Sequence, residues 1–488
     1  MRCAAECIAH HPDRDRRRTR NQEEETVPEL TTAPSGSAPR PEETGTPHAR
    51  AVLLLSSLGF FLITLDILIV NVALTRISRD LGSGTSSLQW VIDGYTLMFA
   101  ALLLFAGNLA DRIGAKRALG CGTALFLLAS AACALAPTTG ALVAARFVQG
   151  AAAAIMLPAS MALIREAFPD PRRRASALGF WAVGGAVAGA VGPLLGGALT
   201  TVDWRLVFAI NLPVCAGMLV LLRYVAPSPR RPTPFDWAGQ VLAIVALTAL
   251  IYGLIHGGSA GFRSPAVIVT LLIAAAGGAG FLVVQARGRH PMMPLTLFRS
   301  TPFRIALSVG FAFMAGWFGT VFFVSLFLQQ HLGLTPLGAG LVFLPAALFS
   351  VMGNVMSGRL RNRFGPRAPA VAGQLCMVVG LVAMLLTAPL GSPLLTAILL
   401  ILIGPGGSVA MPVVTGLVLD SVAPQRAGTA SAIFNTFRQV GGAVAVAVFG
   451  ALLANSATFV TGMQTSFIIA AALILLTAVL SLRIPTSR

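Results

Sequence analysis

Fourteen predominantly apolar stretches run through this sequence, each long enough to cross a bilayer core of ~30 Å, which takes about 20 residues of helix. They fall near residues 51–74, 88–110, 117–136, 140–164, 175–200, 204–225, 237–256, 265–286, 303–330, 336–358, 368–388, 393–419, 427–453 and 463–482. A single water-soluble core stops growing near ~250–300 residues, so a chain of 488 residues cannot bury all of them in one. Charge agrees: 11% of residues are charged, against about 25% in soluble domains. Half of the 18 acids lie in the first 50 residues, which leaves nine for the rest of the chain. Outer-membrane barrels alternate apolar and polar residues in short segments, a pattern these long runs do not show. The expected fold class is all-α integral membrane, with fourteen transmembrane helices.

The connections alternate in charge. Those after even-numbered spans hold nineteen Lys or Arg, from Arg112, Lys116 and Arg117 to Arg426, whereas the opposite set holds Arg76, Arg79, Arg205 and Arg263. Cytoplasmic connections retain Lys and Arg, so both termini are expected in the cytoplasm, as an even span count requires. The formal charge of +17 does not point to a nucleic-acid partner, because only Lys116 is Lys and the skew to Arg reads as a coding bias. Six cysteines (Cys3, Cys7, Cys121, Cys133, Cys215, Cys376) lack metal-ligand spacing, so neither a disulfide framework nor a metal site is expected. Residues 1–50, rich in Arg, Glu, Pro and Thr without an apolar period, predict a disordered cytoplasmic tail and no signal peptide.

An internal repeat sets the organisation. GNLADRIGAK begins at Gly107 and GRLRNRFGPR at Gly358, 251 residues later; Leu109, Arg112 and Gly114 recur as Leu360, Arg363 and Gly365, while Asp111 becomes Asn362. This predicts an N-terminal six-helix bundle over 51–225, two additional transmembrane helices and linkers over 226–301, and a C-terminal six-helix bundle with a short cytoplasmic tail over 302–488. Parallel repeats of this kind place a substrate site between the halves, near mid-membrane.

Several strings carry a family resemblance. GNLADRIGAKR (107–117) resembles the loop 2–3 motif of the major facilitator superfamily, and LDILIVNVAL (65–74) and RFVQGAAAAIMLP (146–158) resemble two more of its motifs. GGAVAGAVGPLLGG (184–197) is similar to the helix-5 motif of its exporters, and WRLVFAINLP (204–213) and GTASAIFNTFRQVGGA (428–443) to its fourteen-span drug:proton antiporter branch. The resemblance covers about residues 51–484. It implies proton-driven efflux of drugs or antibiotics from a bacterial cell. It also implies a conformational latch formed by Gly107, Asp111, Arg112, Gly114, Lys116 and Arg117, with Asp111 approaching the helix start near Ala427–Thr429.

The same residues can be read physically. Asp66 is a carboxylate inside the first span, and intramembrane acids are costly and functional by default; a proton that comes and goes relieves that cost. At ~1.5 Å per residue, Asp66 lies ~12 Å, Asp93 ~8 Å and Arg146 ~9 Å from the outer ends of their spans. A carboxylate near a guanidinium in one band is a coupling device, although a fixed ion pair pinning three helices has the same composition. Asp66 is the first choice for proton carrier and Asp93 the second, since Asp93 reads equally well as an interfacial acid among Gln89, Trp90 and Tyr95. Gly189, Gly192, Gly196 and Gly197 permit close helix approach, and Pro193 invites a bend. Arg438 sits ~16 Å into span 13, flanked by Asn435 and Gln439, and marks the substrate cavity or an interdomain contact. Gln149, Asn211 and Gln374 are further polar cavity candidates. Trp317, Phe318, Phe322 and Phe323 can stack on an apolar ligand, while His256 and His331 read as interfacial.

Competing functions separate on motifs. No GxxxxGK[ST] string is present, against an ATP-driven pump, and six His without clustered acids give no basis for an enzyme or a cofactor. What remains is an exporter working by alternating access, H+ in for drug out, as a plasma-membrane monomer powered by the proton gradient. A proton-coupled symporter importing a small metabolite is the alternative on the same scaffold.

Overall fold

The computed structural model describes residues 47–230, 234–423, 426–453 and 459–485, with the side chains of 47, 171, 172 and 175 excepted. Among the described residues, fourteen helices are long and apolar enough to cross a membrane: α1 (His48–Leu81), α2 (Thr85–Ile113), α3 (Ala115–Ala134), α4 (Thr139–Ala167), α5 (Ser176–Val202), α6 (Leu206–Tyr224), α7 (Trp237–Ala260), α8 (Pro265–Arg287), α9 (Thr301–His331), α10 (Pro336–Phe364), α11 (Arg367–Leu390), α12 (Pro393–Asp420), α13 (Ala427–Leu452) and α14 (Phe459–Ser481). Most of the expected tail, residues 1–46, lies outside the described residues. Residues 48–50 belong to α1 instead. Helices outrun the apolar stretches because polar residues extend them beyond the hydrocarbon: α1 continues past Leu74 to an Arg76–Asp80 pair at 3.2 Å. Pro213 lacks the N–H that would continue the preceding turn, and α6 breaks at Ile210 between Leu206–Ala209 and Asn211–Leu221.

The repeat is visible in the backbone. α2 and α10 both start and end 251 residues apart, at Thr85 and Pro336 and at Ile113 and Phe364. Each ends on a glycine with positive φ, 89° at Gly114 and 74° at Gly365, a conformation that a Cβ disfavours. In the first half α1 packs along α5, and α4 along both α2 and α3; in the second half α9 packs along α13, and α12 along both α10 and α11. Two six-helix bundles result, with α7 and α8 added between them in sequence.

Two seams join the bundles, α2 with α13 and α5 with α10. On the face opposite the Arg-rich connections both are tight. Gln89 Nε2 donates to the carbonyls of Val446 (3.2 Å) and Ala447 (3.0 Å). Ser325 Oγ and Gln329 Nε2 of α9 donate to the carbonyls of Asn71 and Val72 of α1, both at 3.0 Å. A Cβ on Gly197 would lie 2.6 Å from the Pro336 carbonyl. Toward the Arg-rich face the α5–α10 seam parts. The stripe of α5 that meets α10 at Pro193 and Gly197 continues to Ala182 and Gly179, which are exposed, and the facing stripe of α10 continues from Gly340 to Leu348 and Val355, also exposed. The α2–α13 seam is overlaid by α7, which packs on both helices and whose Gln240 Nε2 donates to the Ala101 carbonyl of α2 at 2.9 Å. Asp236 caps α7 through Gly239 N–H (2.8 Å) and accepts from Gln285 Nε2 of α8 (2.6 Å), tying the added pair together.

Candidate functional site

The first-span carboxylate is the centre of a buried polar network, in which Asn211 Oδ1 has no partner. Asp66 Oδ2 pairs with Arg146 Nη1, and Oδ1 accepts from Gln149 Nε2 (2.8 Å) and Asn211 Nδ2 (3.0 Å). Ser130 Oγ of α3 accepts from the same two amides, at 2.9 and 3.3 Å. Arg146 is satisfied in every direction: Nε donates to the Val91 carbonyl (2.8 Å), Nη1 also reaches Gln149 Oε1 (2.7 Å), and the guanidinium lies 4.4 Å from the Tyr95 ring centre. Five helices, α1, α2, α3, α4 and α6, thus converge on one charge pair that is fully buried. The i, i+3 spacing of Arg146 and Gln149 puts both on one face of α4. A buried pair with one member removed is destabilised by ~3–5 kcal/mol, whereas the intact pair gives little net stability. Its value is therefore positional: it ties Arg146 and Gln149 of α4 and Asn211 of α6 to one side chain of α1.

The expectation that Gln149 and Asn211 face a substrate is not met, because both are enclosed by this network. Of the two readings of Asp93, the structure places it as a fully buried acid, and it does not bond to Asp66 or Arg146. Its Oδ1 accepts from Thr96 Oγ1 at 3.3 Å and its Oδ2 has no partner. One turn away on each side lie Gln89, bonded to α13, and Leu97, packed against Ala443 and Ala447 of α13. Asp93 therefore stands on the face of α2 that forms the bundle seam.

In the second half the structure separates the expected cavity residues. Phe322 and Phe323 are fully buried in the core and Trp317 is half-buried beside Gly404 of α12. Gln374 pins α11 to α14 through Ser481 Oγ (2.9 Å) and Thr477 Oγ1 (2.8 Å) and does not line a seam. Arg438 lies against Gly310 of α9, with Nη1 donating to Asn435 Oδ1 at 3.1 Å and Nε unpartnered; Gln439 Nε2 is buried and unpartnered as well.

The α2–α3 connection is anchored by the end of the first half and the linker that follows it. Arg112 lies 4.9 Å from the Phe235 ring centre, Lys116 N–H donates to Ser228 Oγ at 3.0 Å, Lys116 Nζ donates to the Val225 carbonyl, and Arg117 is exposed. Asp111 pairs with Arg165 of α4 at 3.7 Å instead of meeting the start of α13. Arg165 in turn stands beside Gly428 of α13, 3.7 Å from where its Cβ would be, so a guanidinium is interposed where direct contact was expected. Arg165 was legible only as one more basic connection residue, and Ser130, Ser325 and Gln329 carried no signal that sets them apart from other polar residues in apolar runs. The helix-5 glycines hold α5 close to two neighbours. Gly192 meets Leu68 and Gly196 meets Ile69 of α1, Gly197 meets α10, and Gly189 faces open space. The Pro193 carbonyl lies against Gly340.

With this geometry in place, comparison with known proteins is informative. A family model described as Major Facilitator Superfamily matches residues 56–446. The chain is similar to a methylenomycin A resistance protein of Streptomyces coelicolor (36% identical, covering 84% of this chain and 87% of the relative) and to the multidrug resistance protein Stp of Mycobacterium tuberculosis (38%, 82% and 75%). It is also similar to a tetracenomycin C resistance and export protein of Streptomyces glaucescens (33%, 86% and 79%). Among solved structures, a D-xylose-proton symporter aligns with TM-score 0.64 at 16% identity over 90% of this chain and 98% of its own, and a peptide transporter with 0.66 at 16% over 88% and 94%. At such identity these two speak to the fold alone.

Proposed function

The chain belongs to the Major Facilitator Superfamily, and we propose that it exports drugs or antibiotics across a bacterial plasma membrane in exchange for inward-moving protons, by alternating access. The export direction is supported by relatives named for resistance and export and by the helix-5 glycines that clamp α5 between α1 and α10. The Arg-rich face is the cytoplasmic one, both termini lie on that side, and the described state, tight on the outer face and parted below, is open to the cytoplasm. The carrying observation is the Asp66–Arg146 pair in the sealed outer half.

In this reading a compound enters from the cytoplasm while Asp66 is ionised and held by Arg146, Gln149 and Asn211. Outward opening breaks the α1–α9, α2–α13 and α5–α10 contacts and admits water to the outer half. Protonation of Asp66 there releases Arg146 and favours return to the cytoplasm-open state, so proton and drug each prefer one orientation. Asp93, in the α2–α13 seam, is the second titrating group. The bundles over 51–225 and 302–488 rock as units, and the cycle uses the proton gradient with no cofactor, in a monomer. The Asp111–Arg165–Gly428 contact serves as the cytoplasmic latch.

Everted vesicles energised by respiration test this reading. Adding an exported compound should dissipate part of the pH gradient, and Asp66→Asn should remove that response while the protein remains inserted. Concentrative uptake of a metabolite by intact cells would instead favour the symporter.

A further inference from the structure

Arg438 is a cation inside the membrane whose counter-charge the protein does not supply. Asp420 is the single acid in residues 302–488; it ends α12 and is paired with Arg361 at 2.6 Å. Of the first-half acids inside the membrane, Asp66 is committed to Arg146, and Asp93 has Thr96 as its partner on the face of α2 that meets Ala443 and Ala447. No described acid forms an ion pair with Arg438. On the same turn of α13 three buried polar atoms lack partners: Arg438 Nε, Gln439 Nε2 and Thr436 Oγ1. Two of these are obligate donors and the third is a hydroxyl, so what is missing is an acceptor.

Position fits a ligand site. Ser325 is level with Asn71 and Gly310 with Arg438. At ~1.5 Å per residue, Arg438 therefore lies on the order of 15 Å closer to the Arg-rich face than Asp66, in the half where the bundles part. Arg438 is partly exposed, whereas Arg146 is fully buried. One turn above it, half-buried Phe318 rests on Gly442 and offers a ring beside the charge. A guanidinium this deep cannot reach the membrane surface and needs protein or water around it.

We propose that Arg438, with Gln439 beside it, forms a subsite for the carboxylate or other anionic group of the exported compound, whose apolar body lies toward Phe318. This rests on the export reading and adds the substrate class: apolar or aromatic acids. Arg438 is a binding residue, and Asp66 lies outside its subsite.

The test uses full-length protein in lipid nanodiscs and three matched probes: 1-pyrenebutyric acid, its methyl ester and 1-pyrenemethylamine. Binding is read as energy transfer from protein tryptophans to pyrene. The acid should bind on the order of tenfold more tightly than the ester, as a hydrogen bond to a charged group implies, and the amine should bind most weakly. Arg438→Gln should erase that preference by weakening the acid alone, and Arg438→Lys should restore part of it, since charge survives without the planar fork. Equal binding of acid and ester, absence of binding, or an Arg438→Gln loss shared by all three probes overturns the proposal. Should Arg438→Gln fail to fold, Gln439→Ala must show the same selective loss in smaller degree, or the subsite is wrong. Proteoliposomes with an imposed pH gradient then separate the two readings. Acid-selective binding without gradient-driven movement defeats export and keeps the subsite, whereas movement whose acid preference survives Arg438→Gln defeats the subsite and keeps export.

Discussion

Arg146 and Arg438 each lie several turns inside a membrane-spanning helix, one in each half of a duplicated fold, and their surroundings are opposites. Arg146 has a carboxylate, a glutamine, a backbone carbonyl and an aromatic ring. Arg438 has one asparagine oxygen, the Phe434 ring 5.7 Å from its guanidinium and an unpartnered Nε, with no carboxylate. The first arrangement pairs its charges within the protein and is where the proposed cycle puts the proton; the second lacks an acceptor, which the proposed subsite takes from the ligand. Duplication therefore did not produce two equivalent sites. The first half keeps the acids and the ion chemistry, and the second half, with a single acid far from its core, keeps an open cation.

The largest effect should come from Asp66→Asn. It should abolish compound-induced proton movement while a pyrene acid still binds, because Arg438 is untouched; loss of binding to the same degree would merge the two sites into one. Next in size is stability. Arg146→Gln leaves Asp66 as an uncompensated buried charge and should lower the unfolding free energy by ~3–5 kcal/mol, read from thermal unfolding in detergent. Arg438→Gln removes a cation with no counter-ion and should leave the melting temperature unchanged or raised, so an equal fall in both variants would erase the contrast. Third, Gly197→Val forces a side chain against the Pro336 carbonyl and should bias the protein toward the outward-open state. Spin labels at Ser83 and Gly333 should then move apart, and an unchanged distance would show that the outer seam is not the gate. The smallest effect belongs to Asp111→Asn, whose partly exposed pair with Arg165 contributes ~0–1 kcal/mol; only the rate of the orientation change should shift.

Much of the architecture was legible because hydrocarbon imposes a strong rule: every span must be apolar and long. The 251-residue register survived into matched ends of α2 and α10 because a positive-φ glycine closes each helix. Depth brought Asp66, Asp93 and Arg146 into one band, since few charges occur there, but only the fold shows that Arg146 pairs with Asp66. Gln149 and Asn211 were misplaced because an amide in a span has the same sequence signature facing a ligand or completing a carboxylate's shell. Only the fold, bringing α3 and α6 to Asp66, decides. Asp93 stayed between two readings for a related reason: nearness to a helix start suggests the interface, but the opposing face of α13 is built from small residues that let the helices close over it. The family resemblance points to the α2–α3 connection, but Arg165 enters beside Asp111 from a helix that sequence adjacency does not bring near.

The decisive experiment is direct proton counting on detergent-solubilised protein in weakly buffered solution with a pH indicator, as a compound found exported in the vesicle assay is added. Wild-type protein and Arg438→Gln, at concentrations of compound that saturate each, should release protons, and Asp66→Asn should release none. Equal release from Asp66→Asn would place the exchanging proton elsewhere and leave the buried pair in α1 and α4 as a fixed brace.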